Sequence, residues 1–293
     1  MVAYGSLYHI MPYKKGAAMA PRTVKIYSEN NEFQYIETLR RRREKRQKHK
    51  EFFIEGVRPI NQALSYNWHI RAFIYSREKH LSDWAEGILA HSQASEHYEL
   101  RLPLLEKLSN KSEPSELLAL VTMPADDLSH IPVSEKLLVV IFDRPASPGN
   151  LGTLIRSCDA LRVDSLIITG HAVDLYDPET ISASTGSFFA LPTIRLPSQK
   201  ELLPWLEKTR QQLQHVQIVG SSEDAEIAID QHDFTQPTLL VVGNETWGMS
   251  ASYKELCDSI VKIPMYGSAS SLNVASATSI ILYEIDRQRR LLK

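Results

Sequence analysis

Residues 239–248 read Leu-Leu-Val-Val-Gly-Asn-Glu-Thr-Trp-Gly, an apolar run followed by a turn between two glycines. Such a run is typical of a strand in a parallel sheet, which is covered on both faces. Open parallel sheets bind ligands beyond the carboxyl ends of their strands, and glycine lets a ligand approach the backbone closely. The stretch therefore indicates an α/β fold with a ligand loop. Taken alone, a tight surface turn explains the pattern equally well.

A second polar segment lies at the start of a predicted helix. Asn150, Leu151 and Gly152 follow an apolar run at residues 137–142, and Arg156 stands further along the same helix. A junction between a strand and a helix presents unpaired backbone N–H groups, which suit anions such as phosphate. An ordinary turn capped by asparagine, with the arginine on a solvated face, is the alternative.

The third polar segment precedes the last predicted helix. Pro264 and Gly267 indicate a sharply bent loop, and Ser271 and Asn273 place short polar side chains where the helix begins. We expect Ser270 or Ser271 to be the N-cap, which leaves Asn273 unexplained by capping alone. The helix has an apolar stripe at helical spacing, and we expect this stripe to need a partner surface. The stripe consists of Val274, Thr278, Ile281 and Ile285.

Strands and helices alternate along the rest of the chain, which predicts two α/β units. The first contains strands at residues 52–54, 70–75, 97–102 and 117–121 and helices at 57–66, 83–91 and 104–108. The second contains strands at 137–142, 165–169, 216–220, 239–242 and 259–263 and helices at 151–161 and 199–214. A stretch rich in proline and aspartate separates them. The predicted organisation is an N-terminal extension (1–24), a first domain (25–123), a linker (124–136) and a second domain (137–293).

The composition is that of a water-soluble globular protein, with 43% hydrophobic and 23% charged residues among 293. No apolar run approaches the roughly 20 residues needed to cross a bilayer, so we expect a cytoplasmic protein. Cys158 and Cys257 have no partner at metal-ligand spacing. We expect both to be buried thiols, and we predict no metal site.

The formal net charge of −2 gives no nucleic-acid signal for the whole chain, but residues 40–50 form a dense basic block. A block of this kind is as often a solvated helix face or a flexible arm as a nucleic-acid contact. Its position directly before the first predicted strand, at residues 52–54, favours the nucleic-acid contact.

Together the three polar segments resemble the SpoU (TrmH-type) family of S-adenosylmethionine-dependent RNA ribose 2′-O-methyltransferases, which belong to the SPOUT class. Asn150, Gly152, Arg156, Asp159 and Ala160 match the family's first motif position by position. The resemblance implies that the second domain has a parallel sheet with a C-terminal deep trefoil knot. It also implies S-adenosylmethionine as the cofactor, no metal, and a homodimer formed through this domain.

The resemblance implies roles for individual residues. The implied catalytic residues are Asn150, Arg156, Glu245, Ser271 and Asn273. The implied cofactor contacts are Thr185, Gly186, Val242, Gly243, Asn244, Gly248, Ile263, Met265, Ser271 and Leu272. The implied RNA contacts are Arg41, Arg42, Arg43, Arg46 and Arg58. For the turn that contains Thr185 and Gly186, a helix end that passes into a strand is the other explanation.

Residues 53–58, Phe-Ile-Glu-Gly-Val-Arg, resemble the opening of the small α/β substrate-binding domain of this family. That domain is similar to a ribosomal protein that binds RNA turns. Many relatives have Pro-Gln-Gly before its last strand, whereas this chain has Pro114, Ser115 and Glu116. The departure leaves the RNA target, rRNA or tRNA, open.

The resemblance implies an enzyme that methylates a ribose 2′-OH in structured RNA. The alternative is a non-catalytic RNA-binding or ribosome-assembly protein on the same fold, and the retained catalytic residues argue against it. A dehydrogenase or Rossmann-type methyltransferase is disfavoured because no Gly-x-Gly-x-x-Gly follows an early strand. A guanidinium has a pKa above about 12, so we expect Arg156 to hold a phosphate and stabilise negative charge rather than act as a base.

Overall fold

The computed structural model describes residues 21–109 and 111–291, so most of the predicted N-terminal extension lies outside the described residues. The strands of the first domain are β1 (Arg22–Ile26), β2 (Glu51–Glu55), β3 (Ile70–Tyr75), β4 (Glu96–Leu100) and β5 (Leu117–Thr122). Its helices are α1 (Asn31–Arg41), α2 (Arg43–His49), α3 (Val57–Ser65), α4 (Asp83–Ala90) and α5 (Leu102–Leu108). The elements predicted for this domain are confirmed to within a few residues at each end.

Three elements of this domain, β1, α1 and α2, were not predicted from the sequence. Helix α1 begins where the side chain of Asn30 accepts a hydrogen bond from the backbone N–H of Phe33. Strand β1 pairs in parallel with β4, so the domain begins at or before Arg22 and not at Lys25. The sheet order is β1-β4-β3-β5-β2, and β5 is antiparallel to both of its neighbours.

The second domain contains the five strands that were predicted and two that were not. The strands are β6 (Leu138–Asp143), β7 (Ser165–Thr169), β8 (Thr193–Leu196), β9 (Gln217–Ser221), β10 (Ile227–Ala228), β11 (Thr238–Val242) and β12 (Ser259–Lys262). The helices are α6 (Pro148–Ala160), α7 (Pro178–Ala183), α8 (Leu203–Leu213), α9 (Ala251–Leu256) and α10 (Val274–Leu291). Strands β8 and β10 and helices α7 and α9 were not predicted from the sequence. The helix predicted at 199–214 begins as a short 3-10 turn, Gln199–Glu201, before α8.

All the paired strands of the second sheet run parallel, in the order β10-β12-β9-β11-β6-β7-β8. The central strands β6, β7 and β11 are buried on both faces, which explains their continuous apolar runs. The chain leaves β6 towards β7, but it leaves β11 towards β12 on the opposite side. The carboxyl ends of β6 and β11 therefore form the topological switch point of the sheet, where such folds bind ligands.

One apolar core runs through both domains. The ring of Phe52 packs against those of Tyr176 and Phe188, with centroids 4.7 and 5.7 Å apart. The indole N–H of Trp68 donates to the carbonyl oxygen of Phe189 at 3.0 Å. The predicted linker also lies against the second domain, since its Asp126 accepts hydrogen bonds from the backbone and side chain of a β8 arginine. The two domains are thus packed together.

Helix α10 buries its apolar stripe inside its own subunit. Ile281 and Ile285 are buried in the shared core, and α10 packs along α6. The hydroxyl of Ser279 also donates to that of Ser157 in α6 at 2.7 Å. The expectation that this stripe needs a partner surface is wrong, because α6 already covers it. None of the helices in residues 21–109 and 111–291 has the length and apolar character needed to span a membrane.

Candidate active site

The loops that follow β6 and β11 meet at the switch point of the second sheet. Glu245, in the loop after β11, accepts hydrogen bonds from the backbone N–H groups of Ala146 and Ser147 at 2.8 and 3.1 Å. It accepts a third from the side-chain amide of Asn150 at 3.2 Å. Ser147 is also the N-cap of α6, since its hydroxyl accepts from the backbone N–H of Asn150. The first and second polar segments are thus joined through one carboxylate.

Asn273 joins the third segment to the same network. Its side-chain amide donates to the side-chain oxygen of Asn150 at 2.8 Å. Its own oxygen accepts from the backbone N–H groups of Ala275 and Ser276, so Asn273 is the N-cap of α10. The prediction of Ser270 or Ser271 as the cap is therefore wrong. Asn273 therefore has two roles. Its side-chain oxygen caps α10, and its side-chain NH₂ group holds Asn150.

The turn after β11 is closed by its own backbone. Asn244 and Gly248 exchange two backbone hydrogen bonds of 3.0 and 2.9 Å. The side chain of Asn244 donates to the carbonyl oxygen of Arg144 at 2.7 Å and accepts from the backbone N–H groups of residues 246 and 247. A Cβ atom on Gly243 would lie 2.2 Å from the backbone of Gly248 and Met249, so only glycine fits there.

Arg144, directly after β6, also belongs to this turn, although the sequence analysis did not select it. Its backbone is left-handed, with φ of 53°, and its guanidinium donates to the carboxylate of Asp143 and to the carbonyl oxygen of Gly248 at 3.1 Å. The hydrogen bond to Asp143 raises the pKa of Arg144 above its ordinary value. Asp143 is buried and also accepts from the backbone N–H of Ser250. The position of Arg144 directly after an apolar strand was the sequence signal that could have identified it as a site residue.

The loop from β12 to α10 presents apolar side chains to solvent. Ile263 packs against the core, whereas Met265 and Leu272 are 36% and 40% exposed, and Ser271 is exposed beside them. The space around Gly248 is open, with nothing within 4 Å of an added Cβ. Exposed apolar side chains in one loop and open glycine backbone in another are features that suit an adenosyl group, which has a flat apolar base and polar edges.

Arg156 is exposed on α6, and its side chain makes no hydrogen bond or ion pair with residues 21–109 or 111–291. It follows Gly149 by about two helical turns, so both lie on one face of the helix. The structure therefore does not bring Arg156 into the network of Asn150, Glu245 and Asn273. Gly152, one turn before Arg156, packs so closely on α7 that an added Cβ would lie 2.4 Å from the carbonyl oxygen of Thr180.

The basic block forms the end of α1 and all of α2, and its arginines have different environments. Arg41 and Arg42 are exposed, and so is Arg58 at the start of α3. Arg46 is buried and forms ion pairs with Asp174 and Asp177 of the second domain, so its assignment as an RNA contact is wrong. Burying a charge requires a partner, and two carboxylates supply it.

Arg43 also contacts the second domain, since its guanidinium donates to the carbonyl oxygen of Ala172 at 2.6 Å. A cavity of about 800 Å³ lies next to this contact region, between the two domains. Arg41, Arg58 and Lys111 line it from the first domain, and Gly149 and the turn at Thr185 and Gly186 line it from the second. A Cβ on Gly186, whose φ is 101°, would lie 3.4 Å from Nε of Arg58.

Both cysteines are partly or fully buried, as expected. Burial raises the pKa of Cys158 well above its usual range and that of Cys257 to about 12, so neither is a thiolate near neutral pH. Within the part of the chain that the structure describes, no three His, Cys, Asp or Glu side chains are grouped to hold a metal.

Comparison with known proteins gives consistent matches over nearly the whole chain. The model of a family described as SpoU rRNA Methylase matches residues 137–283, and that of a SpoU L30e-like domain matches residues 30–119. The chain is 47% identical over 270 residues to a 23S rRNA (uridine(2479)-2′-O)-methyltransferase of Streptomyces viridochromogenes, which covers 92% of this chain and 94% of the relative.

Two solved structures have the same architecture. The crystal structure of the SpoU methyltransferase AviRb from Streptomyces viridochromogenes, in complex with the cofactor AdoMet, matches with a TM-score of 0.85 at 47% identity. It covers 89% of this chain and 98% of that one. An AdoMet-bound rRNA methyltransferase from Sinorhizobium meliloti matches with a TM-score of 0.80 at 26% identity, covering 90% and 98% of the two chains.

Proposed function

Because the chain belongs to the SpoU rRNA methylase family, we propose that it methylates a ribose 2′-oxygen in 23S ribosomal RNA. It is an S-adenosylmethionine-dependent RNA ribose 2′-O-methyltransferase, and its SPOUT fold implies the trefoil knot. The choice of 23S rRNA is supported by the relatives that act on it in Streptomyces viridochromogenes and Bacillus subtilis. A ribosomal RNA substrate places the enzyme in the cytoplasm.

The observation that carries the assignment of the active site is the chain of hydrogen bonds from Asn273 through Asn150 to Glu245. It joins three segments that are far apart in sequence, and it leaves both asparagine side chains in one fixed orientation. S-adenosylmethionine, when bound, supplies an electrophilic methyl group on its sulfonium. The loops around Val242, Gly243 and Asn244, and those around Ile263, Met265 and Leu272, hold this cofactor. Thr185 and Gly186, in the wall of the cavity between the domains, stay predicted cofactor contacts.

The proposed roles of the polar residues follow from their surroundings. Both oxygens of Glu245 already accept hydrogen bonds from its own subunit, so it orients Asn150 and the loop after β6. Arg156, which is exposed on the face of α6 that leads to the cavity, grips the phosphate next to the target ribose and stabilises the developing alkoxide. The proton leaves to that phosphate or to water. Ser271 lines the reaction centre beside Asn273.

The test is methyl transfer to ribosomal RNA. Purified protein and S-adenosylmethionine are incubated with total RNA from a strain that lacks the gene, and 2′-O-methyl positions are mapped against the wild type. We expect one new methylated position in 23S rRNA that is also lost in the deletion strain. A single modified position in tRNA would overturn the proposed substrate, and the absence of transfer to any RNA would overturn the catalytic assignment.

We propose that Arg41, Arg42 and Arg58, three exposed arginines of the first domain, bind RNA phosphates. Replacing all three with alanine should weaken RNA binding and flatten its salt dependence. Each lost phosphate contact lowers the slope of log K against log salt by about 0.7 to 0.9. Filter binding across a salt series measures the slope, and Lys208→Ala on α8 is the control with an unchanged slope. A slope equal to the wild type in the triple variant would exclude these side chains as phosphate contacts.

We also propose that the second domain forms a homodimer, as the family resemblance implies. The support in this structure is the outer face of α10, where Ile280 and Tyr283 are exposed and lie one turn apart. Light scattering at micromolar concentration should give twice the mass of the chain, and Tyr283→Glu should shift the protein towards monomer. Tyr27→Glu, at an exposed position in the first domain, is the control. A monomeric wild type would contradict the proposal.

A further inference from the structure

We propose that Arg46 is a positioning residue that fixes the angle between the two domains, so that RNA held by the first domain presents its ribose correctly to the second. The inference rests on the proposed function. It gives a role to the one buried arginine of the described basic block, which cannot reach RNA because its side chain is 2% exposed.

All three nitrogens of the Arg46 guanidinium have partners. Nε and Nη2 lie 2.7 and 2.6 Å from one carboxylate oxygen of Asp174, and Nη2 lies 3.4 Å from Asp177. Nη1 donates to the carbonyl oxygens of Leu39 and Arg40 at 3.0 and 2.8 Å. The carboxylates belong to the second domain and the carbonyls to the end of α1 in the first. One planar group thus connects the two domains at fixed directions.

The aspartates connect this ion pair to the helix that carries the active site. Asp174 accepts from the backbone N–H of Tyr176, and Asp177 is the N-cap of α7, accepting from the N–H of Glu179. Helix α7 packs directly on α6. Gly152 permits this close approach because it has no side chain, and an added Cβ would collide with α7. Helix α6 carries Asn150 and Arg156. A rigid series of contacts therefore runs from α2 of the first domain to the proposed reaction centre.

The Arg46 ion pair adds fixed directions to an interface whose other polar contacts are single hydrogen bonds at its edges, such as those of Trp68 and Arg43. The aromatic contacts of Phe52 and Trp68 with the second domain are apolar for the most part, and the hydrophobic effect is non-directional. A guanidinium is a planar fork whose hydrogen bonds specify direction. A buried ion pair adds little net stability, because the cost of desolvation offsets the attraction between the charges. We therefore assign the Arg46 ion pair a role in orienting the two domains. Methyl transfer requires reacting atoms to be placed closely, and a displacement of about 1 Å can cost 10²-fold in rate.

The experiment separates orientation from stability with one single and one double variant of the full chain. Arg46→Met leaves Asp174 buried without its partner and should lower the melting temperature by on the order of 10 °C. Adding Asp174→Asn removes the second charge and keeps the oxygen that accepts from Tyr176. This double variant should regain most of the melting temperature, because the carboxylate that remains, Asp177, is 36% exposed and keeps its hydration, so no buried charge is left without a partner.

We expect the double variant to keep a kcat/KM for RNA about 10- to 100-fold below the wild type, mainly through a higher KM, despite its restored stability. Amide exchange at Phe188 and Phe189, on the second-domain side of the interface, should be faster than in the wild type. A double variant with the KM and the amide exchange rates of the wild type would overturn the proposal. A wild-type KM in Arg46→Met would overturn it as well. Lys48→Met, at an exposed position of the same helix, should keep wild-type melting temperature and exchange. Because exchange and melting need no RNA, they test Arg46 even if no RNA is methylated.

Discussion

Arg156→Ala should lose most methyl transfer, with a single-turnover rate about 10²- to 10³-fold below the wild type, as for the loss of one group that stabilises an oxyanion. The reason is electrostatic. The Arg156 side chain makes no hydrogen bond or ion pair within residues 21–109 and 111–291, so its removal should not disturb the hydrogen bonds of Asn150, Glu245 and Asn273. Melting temperature and cofactor affinity should therefore match the wild type. Lys208→Ala, also on an exposed helix face, is the control with unchanged rate.

Arg156→Lys distinguishes two ways in which the arginine can act. Lysine keeps the positive charge but loses the bidentate fork. If the charge stabilises the developing alkoxide, the lysine variant keeps measurable activity between that of alanine and the wild type. Single-turnover rates across a range of pH make the comparison, with RNA and cofactor binding measured in parallel. Equal inactivity of both variants while both ligands still bind would exclude a purely electrostatic role and indicate a geometric phosphate clamp.

The parts of this fold that the sequence predicts are those with short-range patterns. Apolar runs identify β6, β7 and β11, because a central parallel strand is buried on both faces. Helix α1 has equally clear signals, a capping asparagine and apolar residues at helical spacing, although it was not predicted. Helix α7 has six residues, too few for periodicity to show.

The active-site segments could be recognised from sequence, but their connections could not. Ser270, Ser271 and Asn273 are all good caps, and which of them caps α10 depends on the path of the loop. Asn273 is the N-cap in the structure, and its side-chain amide also donates to Asn150, a residue far away in the chain. Arg46 shows the same limit, since its partner Asp174 lies 128 residues away. Local charge density predicts exposure for such a residue, and only the tertiary structure reveals the buried carboxylates.

Gly243→Ala should have the second largest effect, a loss of cofactor binding. An added Cβ would lie 2.2 Å from backbone atoms of Gly248 and Met249, and backbone cannot move aside as the end of a flexible side chain can. The turn must therefore open, and the hydrogen bonds between Asn244 and Gly248 must lengthen or break. Overpacking of this kind costs about 1–3 kcal/mol, which corresponds to about 5- to 150-fold weaker binding if the closed turn is the binding form.

Calorimetry with S-adenosylmethionine and S-adenosylhomocysteine measures this loss directly. Gly87→Ala is the matched control, because Gly87 lies within α4 and an added Cβ there meets nothing within 4 Å. The control should bind both ligands like the wild type and should be slightly more stable, since alanine favours a helix over glycine. Wild-type affinity in Gly243→Ala would instead mean that the turn after β11 does not hold the cofactor. The binding site would then have to be sought elsewhere, first in the cavity between the domains, where Thr185 and Gly186 already lie.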